Sequence, residues 1–480
     1  MIDRRHMLAA AAGLVGIHGA DDGTARGRRG GRRRHRGNGP SQGGAGRPKG
    51  GRPNLVLVIL DDMRTSDWQA LPKTRSRLSA GSWFPNYFNG CPLCSPARVS
   101  LMTGLHVHNH RVMDNGGNSD EGGHDEFHQQ DLESKTLNAA LRGAGYHTGM
   151  IGKYLNGFKA LDWRPMGWNR WVASTSLDYT DFVLDIDGER VEFRGAAYKT
   201  DVLRDHAVRF IMDAPENQPI YLQFCPTAPH GPSVPAARHR SSFPDAEVKR
   251  EPCFNEADVS DKPSPLQDMP LLGPAEIAAM DRVEGDRLRT LLAADEAIVA
   301  VVDALQRVNR LEDTSIIVAS DNGYLLGHHR LLEMKGTPYD QAIRTPMLAW
   351  GAPFKTPRDR RLACNVDIAP TFAALAGITM PRSDGFDLLG GHARDYALLT
   401  MPGNMQAPVG TGLRSEELMY VEYVTGEREF YDRRVDMGEL VNLLPPGSSF
   451  DAASPVGLPA ISDLSARARA LGRCAGVGCW

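Results

Sequence analysis

Two apolar runs in this 480-residue chain end in oxygen-bearing side chains. Asn54–Leu60 (NLVLVIL) leads into Asp61-Asp62, and Ser315–Ser320 (SIIVAS) leads into Asp321-Asn322. The carboxyl ends of strands line the binding crevice of an open parallel sheet, so the two runs would bring four oxygen ligands to one sheet end. Three carboxylates and an amide, without histidine or thiolate, suit a hard divalent cation, Ca²⁺ or Mg²⁺, rather than zinc. Either acidic pair alone could simply cap the turn after its strand. Both together, with a reactive residue between them in sequence, make a site.

The reactive residue is Cys94, in Cys94-Ser95-Pro96-Ala97-Arg98. A cysteine beside a proline is ordinarily part of a turn. Pro96 also fits the first turn of a helix, where its missing N–H costs nothing, and the helix would run to about Leu105. Unpaired N–H groups at a helix start attract anions, with modest help from the helix dipole. A nucleophile placed there would meet a tetrahedral oxyanion, and an unmodified Cys94 reads as a candidate activated thiolate.

Strand and helix patterns alternate from Asn54 to about Gly377. This is the pattern of an α/β fold: a large, mainly parallel mixed sheet sandwiched by helices. The unbroken apolar run Leu55–Leu60 is expected of a strand covered on both faces. Glu133–Arg142 reads as a helix, followed by a strand over Tyr146–Ile151, and Ile220–Cys225 is another strand. Arg287–Val308 is the longest expected helix, and Val366–Ala376 is a further amphipathic one. FVLDIDGERVEF alternates around Asp187-Gly188, a hairpin signal. Pro232–Gly273 reads as a long surface excursion that shapes a cleft or covers an edge. From about Thr400 the pattern changes: Met419–Val424 and Glu429–Asp432 read as antiparallel strands, with a closing helix near Ser462–Gly472. The expected organisation is a main α/β domain over 53–400 and a small C-terminal antiparallel-sheet (α+β) subdomain over 401–480.

Gly23–Arg52 holds ten Arg and Lys and no acid, so the net charge of −3 conceals a body near −13. An acidic body argues against nucleic acid as a partner, and any anionic substrate must be held by a few local cations. The opening MIDRRHMLAAAAGLVG, two arginines before a short apolar run, resembles a twin-arginine export signal over 1–20. A Gly/Arg-rich linker over 21–52 follows, too polar to fold. Together they predict an exported protein, periplasmic, cell-envelope or secreted. No run approaches the roughly 18 apolar residues of a membrane span. Setting Cys94 aside, six of the seven cysteines remain, an even number compatible with disulfides. Cys474/Cys479 is the most plausible bridge, while Cys225 and Cys364 read as buried thiols.

With these residues in place, the chain from Asn54 to about Leu444 resembles a type I sulfatase of the alkaline phosphatase superfamily. The resemblance rests on CSPARVSLMTG and five further motifs in family order: GKYLNG (Gly152–Gly157), APHGP (Ala228–Pro232), SDNGYLLGHH (Ser320–His329), KGTPYDQAIRTPM (Lys335–Met347) and EFYDRRVDMGELVNL (Glu429–Leu443). It implies that a formylglycine-generating maturation enzyme oxidises Cys94 to formylglycine. Asp61, Asp62, Asp321, Asn322 and residue 94 would bind one cation, usually calcium. One hydroxyl of the hydrated aldehyde would attack sulfur and release the substrate alcohol; the second would expel sulfate. Arg98 would orient the diol, Lys153 and Lys335 would hold sulfate oxygens, and Lys335 or His230 would protonate the leaving oxygen. Apart from their motifs, Lys153 and Lys335 would pass as surface lysines and His230 as structural.

One position departs from the family. Many members carry a histidine two residues after the lysine matching Lys153, where this chain has Leu155. Tyr154, Asn156, His106, His108 and His110 are the possible replacements. GKYLNG and VHNHRV resemble the N-acetylglucosamine-6-sulfatase and heparan endosulfatase branch, which implies sulfated sugars or aryl sulfates as substrates. Two alternatives stand beside this reading: a phosphomonoester or phosphonate ester hydrolase of the same superfamily, and an unmatured binder of sulfated glycans. His328 and His329 read as rim or loop residues, and His147 as a satisfied core residue.

Overall fold

Asn54–Leu60 is the centre of the molecule, and its two faces explain its unbroken apolarity. Leu55, Leu57 and Ile59 face a core completed by the helices Cys94–Thr103, Leu137–Gly143 and Ile368–Leu375. Val56, Val58 and Leu60 face the opposite core, under the helices Lys199–Met212 and Pro274–Arg307. This computed structural model describes residues 51–116, 123–160, 163–403, 407–448 and 453–480. The expected export signal and all but the last two residues of the expected linker lie outside the described residues.

The main sheet has nine strands, in the order Ser82–Trp83, Met347–Trp350, Thr314–Ser320, Asn54–Leu60, Ile220–Cys225, His147–Lys153, Arg170–Ser174, Phe182–Ile186 and Glu189–Phe193. The five strands from Thr314–Ser320 to Arg170–Ser174 are parallel. Antiparallel strands extend both sides. The hairpin turns at Asp187-Gly188, both at positive φ, as a two-residue turn between twisted strands requires. Pairing of the central strands runs in register from Asn54↔Thr314 to Leu60↔Ser320. That register delivers Asp61-Asp62 and Asp321-Asn322 side by side.

The long helix begins at Pro274, thirteen residues before its expected start. Its first turns bury few apolar side chains, so their helical period is faint, yet Gly273, Pro274 and Glu276 form an N-terminal cap. The expected helix over 133–142 is divided: Thr136 accepts from Ala139 N and starts the α-helical part at Leu137. The 232–273 excursion is pinned rather than loose. Wholly buried Lys262 donates to Leu440 O at 2.7 Å and pairs with Glu256 at 3.2 Å.

A separate four-stranded antiparallel sheet is formed by Ala397–Met401, Gly410–Arg414, Leu418–Tyr423 and Arg428–Asp432. Helix Ile461–Leu471 packs on it through Leu464 and Ala468. Cys474 and Cys479 form the expected disulfide, and Cys225 and Cys364 are buried free thiols. Among the described residues, no helix is long and apolar enough to cross a membrane.

Candidate active site

The in-register strands end in a cage. Asp321 N donates to Leu60 O at 3.2 Å, and Asp62 N donates to Asp321 Oδ1 at 3.1 Å. Asp62 turns out of the strand with φ 68°, a left-handed conformation that a non-glycine residue holds only when its surroundings enforce it. Buried Arg287, on the long helix, supplies the enforcement. It donates to Asp62 O at 2.6 Å, pairs with Asp67 at 3.1 Å and stacks over Tyr324. Ser320 Oγ accepts from Met63 N and so fixes the next residue.

Cys94 opens the helix Cys94–Thr103 and points into this cage. Its Sγ lies 3.5 Å from Asp61 Oδ1, 3.9 Å from Asp62 Oδ1 and 2.9 Å from Lys335 Nζ. Lys153 Nζ donates to Asp61 Oδ2 at 2.6 Å, and Lys335 Nζ pairs with Asp62. Arg98, one turn along the helix, donates to Asp321 Oδ2 and to Lys153 O, each at 2.8 Å. His230 Nδ1 donates to Gly231 O at 2.7 Å, which turns Nε2 toward Asp62 Oδ2 at 3.6 Å. All nine residues expected at the site converge here.

The electrostatics follow from burying charge of both signs. Burial raises the Asp61 carboxyl, but Lys153, His230, Arg98 and Lys335 outweigh it and hold the group well below its ordinary value. Asp62 is also lowered, burial being outweighed chiefly by Lys335 and His230. Asp321 goes the other way: burial and its two acidic neighbours prevail over Arg98. Burial works against the charged forms of Lys153 and Lys335, yet the surrounding carboxylates keep both above the usual lysine range. Burial pushes His230 down.

Two expectations need correction. Burial pushes the Cys94 thiol up to about 12, more than Lys153 and Lys335 can reverse, so the unmodified side chain is no activated thiolate. The helix start is also less open to anions than its sequence implies. Asn115 Oδ1 already accepts from Ser95 N at 2.8 Å, and Pro96 has no N–H to offer. Positive charge at the site comes from Lys153 and Lys335 instead.

Most of the possible replacements for the absent histidine lie elsewhere. Leu155 is buried in the apolar core. Tyr154 packs edge-on against Trp171 and Phe158. His110 is held between Ser100 Oγ and Val112 N, and His108 reaches Cys474 O. Asn156 alone stays near residue 94, exchanging hydrogen bonds with Ser95 Oγ. His328 and His329 are buried rather than rim residues: His329 pairs with Glu256 at 2.6 Å and stacks on Tyr339. His147 is half-buried and stacks on Phe210. Arg287 and Asn115 escaped the sequence reading. A lone arginine or asparagine has no local signature, and Arg287 meets Asp62 across 225 residues.

Buried carboxylates, an amide, two lysines and a cysteine thus meet at the carboxyl end of a helix-covered parallel sheet. The family described as Sulfatase matches residues 53–378, and the chain belongs to that family. It is 32% identical over 351 residues to an extracellular sulfatase Sulf-1 homolog of Caenorhabditis elegans, covering 70% of this chain and 48% of that one. It is 30% identical over 356 residues to human N-acetylglucosamine-6-sulfatase, covering 70% of this chain and 64% of that protein. The chain thus matches about half the length of the first relative and under two thirds of the second. Among solved structures, a protein bound to its substrate D-glucosamine-2-N,6-O-disulfate superposes with a TM-score of 0.67 at 23% identity. That superposition covers 82% of this chain and 93% of the other, and supports the fold.

Proposed function

We propose that this protein hydrolyses sulfuric esters of sulfated sugars of the N-acetylglucosamine-6-sulfate type, through a formylglycine made from Cys94. The observation that carries the proposal is the position of Cys94 Sγ, 3.5 Å from Asp61 Oδ1 and 2.9 Å from Lys335 Nζ, where aldehyde-derived oxygens would stand. The similarity to N-acetylglucosamine-6-sulfatase supports the sugar class.

The residues present fit a divalent cation. Asp61, Asp62 and Asp321 offer buried carboxylates, and Asn322 Oδ1 is buried without a hydrogen-bond partner. Oxygen donors of this kind suit calcium, with magnesium as the alternative. When present, the cation neutralises charge on the sulfate, and the hydrated formylglycine supplies the nucleophile. The other work falls to the chain itself. Lys153 and Lys335 hold sulfate oxygens as point charges. Arg98 fixes Asp321 and the Lys153 backbone, so that reacting groups meet in one geometry. His230 Nε2 or Lys335 Nζ gives a proton to the departing alcohol oxygen.

In this reading residues 53–400 form the catalytic domain and 401–480 the C-terminal subdomain. A maturation enzyme acts on Cys94 before a twin-arginine-type signal takes the folded chain out of the cytoplasm. Cys94→Ala should abolish turnover of an aryl sulfate while leaving the thermal unfolding profile intact. Full activity in that variant ends the proposal. Mass spectrometry of the peptide containing residue 94 should find the aldehyde, whereas a native thiol there would favour a glycan binder. A panel beginning with glucosamine 6-sulfate, run beside phosphate and phosphonate esters, should show the sulfated sugar preferred.

A further inference from the structure

Two histidines that take no part in the centre around Cys94 converge on the C-terminal cysteines. His106 is only 5% exposed, and a ring nitrogen lies with Cys474 Sγ and Cys479 Sγ so that all three atoms are within 4.8 Å of one another. Among the described residues its ring makes no hydrogen bond. His108 stands beside it, the rings stacked at 5.8 Å. Its Nε2 is 2.9 Å from Cys474 O and 3.9 Å from Cys474 Sγ, and its Nδ1 is buried without a partner.

A third group holds this cluster together whatever the sulfurs do. Buried Asp384 accepts from His106 N at 2.9 Å and from Asn109 Nδ2 at 2.8 Å, and from Gly476 N at 2.8 Å. The histidine segment and the cysteine loop are therefore anchored to one carboxylate. The spacings are His-x-His and Cys-x₄-Cys, and structural zinc takes such Cys₂His₂ sets in a closed tetrahedron.

We propose that reduction of the Cys474–Cys479 disulfide creates a zinc site whose ligands are Cys474, Cys479, His106 and His108. In the reducing step a dithiol gives two electrons and two protons to the S–S bond and becomes a disulfide itself. The two thiols formed then release their protons as Zn²⁺ binds. Two thiolates and two neutral imidazoles balance the ion's charge, so the buried cluster stays neutral overall. His108 exchanges its bond to Cys474 O for the metal. The C-terminal loop would thus be closed by a disulfide in an oxidising compartment and by zinc in a reducing one. A chain folded before export would meet both.

Cobalt(II) titration tests the site directly, because thiolate ligation and tetrahedral geometry each have an absorption signature. The titration uses Cys94→Ala protein, which removes the thiol beside the carboxylate cage and makes the result independent of catalysis. After reduction with a phosphine without air, about one equivalent of cobalt should bind with a thiolate charge-transfer band and strong tetrahedral d–d bands, displaced by zinc. Oxidised protein should show neither signal. Adding Cys474→Ser together with Cys479→Ser should remove the charge-transfer band, and adding His106→Gln should weaken binding by at least about tenfold. The melting temperature of oxidised His106→Gln protein checks its folding; if it does not fold, the reduced and oxidised parent proteins decide alone. No thiolate band on reduction, a band that survives loss of both Cys474 and Cys479, or undiminished affinity in folded His106→Gln protein overturns the proposal.

Discussion

Among single residues, those that could be read from sequence are those whose neighbours in the chain announce them. Cys94 sits in a five-residue motif, and Asp61-Asp62 and Asp321-Asn322 each follow an apolar strand. Arg287 has no such setting, yet its guanidinium joins Asp62 O, Asp67 and the Tyr324 face in one buried contact. A planar fork can serve these partners together, whereas an ammonium cannot reproduce that geometry. Arg287→Lys should therefore release the backbone that holds Asp62 at φ 68° while keeping the charge. Loss of a partner that orients a metal ligand typically costs about 10–100-fold. We expect a drop of that size in kcat/KM on an aryl sulfate, with weaker calcium binding by isothermal titration. Activity within about twofold of the parent would show that Asp62 holds its pose without the clamp.

Among elements, the decisive fact is strand register, and sequence supplies it only where both strands end in chemistry. The acidic residues after Asn54–Leu60 and Ser315–Ser320 imply that both strands end at one end of the sheet, and their direct pairing is a finding of the structure. Ala397–Met401 and Gly410–Arg414 have no strand signal in the sequence, because the first is a short apolar run without alternation and the second is interrupted by glycine. The long helix was read from Arg287 and not from Pro274, since its early turns meet a polar network rather than the core: Glu284 pairs with Arg64. Register also explains Gly152, which opposes Cys225 immediately before Lys153. Its φ is +121°, and a Cβ there would meet Cys225 O at 1.9 Å. The carbonyl belongs to a central strand and cannot swing aside. Gly152→Ala should force the two strand ends apart, costing about 1–3 kcal/mol in overpacking and more from the disfavoured backbone. Denaturant unfolding should show the loss. Lys153 would shift away from Asp61 with it, so turnover of an aryl sulfate should fall further than stability does. An unchanged denaturation midpoint would mean that the strands separate freely here.

For the whole molecule, the fold class followed from alternating strands and helices, because a continuous apolar strand must be covered on both faces. What sequence did not reveal is how much ionisable surface the fold buries away from the site. His106, His110, His328 and His329 are buried. Burial holds the last three down at about 3, and His106 well below its ordinary value. In the unfolded chain each should titrate near its ordinary value of about 6.5. As pH falls through that value the unfolded state takes up protons that the folded state refuses. Stability contributed by neutral burial is therefore complete above about pH 6.5 and is lost below it, by up to about 1.4 kcal/mol per pH unit for each histidine. Glu256 opposes the trend. Burial raises it to about 7, so between about pH 4.3 and 7 the folded state keeps a proton that the unfolded state gives up. Among these five groups the four histidines outnumber Glu256, so together they favour proton uptake on unfolding near pH 5. Urea unfolding of the disulfide-intact protein, in excess calcium, should give a much smaller unfolding free energy at pH 5 than at pH 7. A curve that is flat or rises between those values would mean that these rings gain protons inside the fold, with Glu256 beside His329 and Glu251 near His328 as the counter-charges.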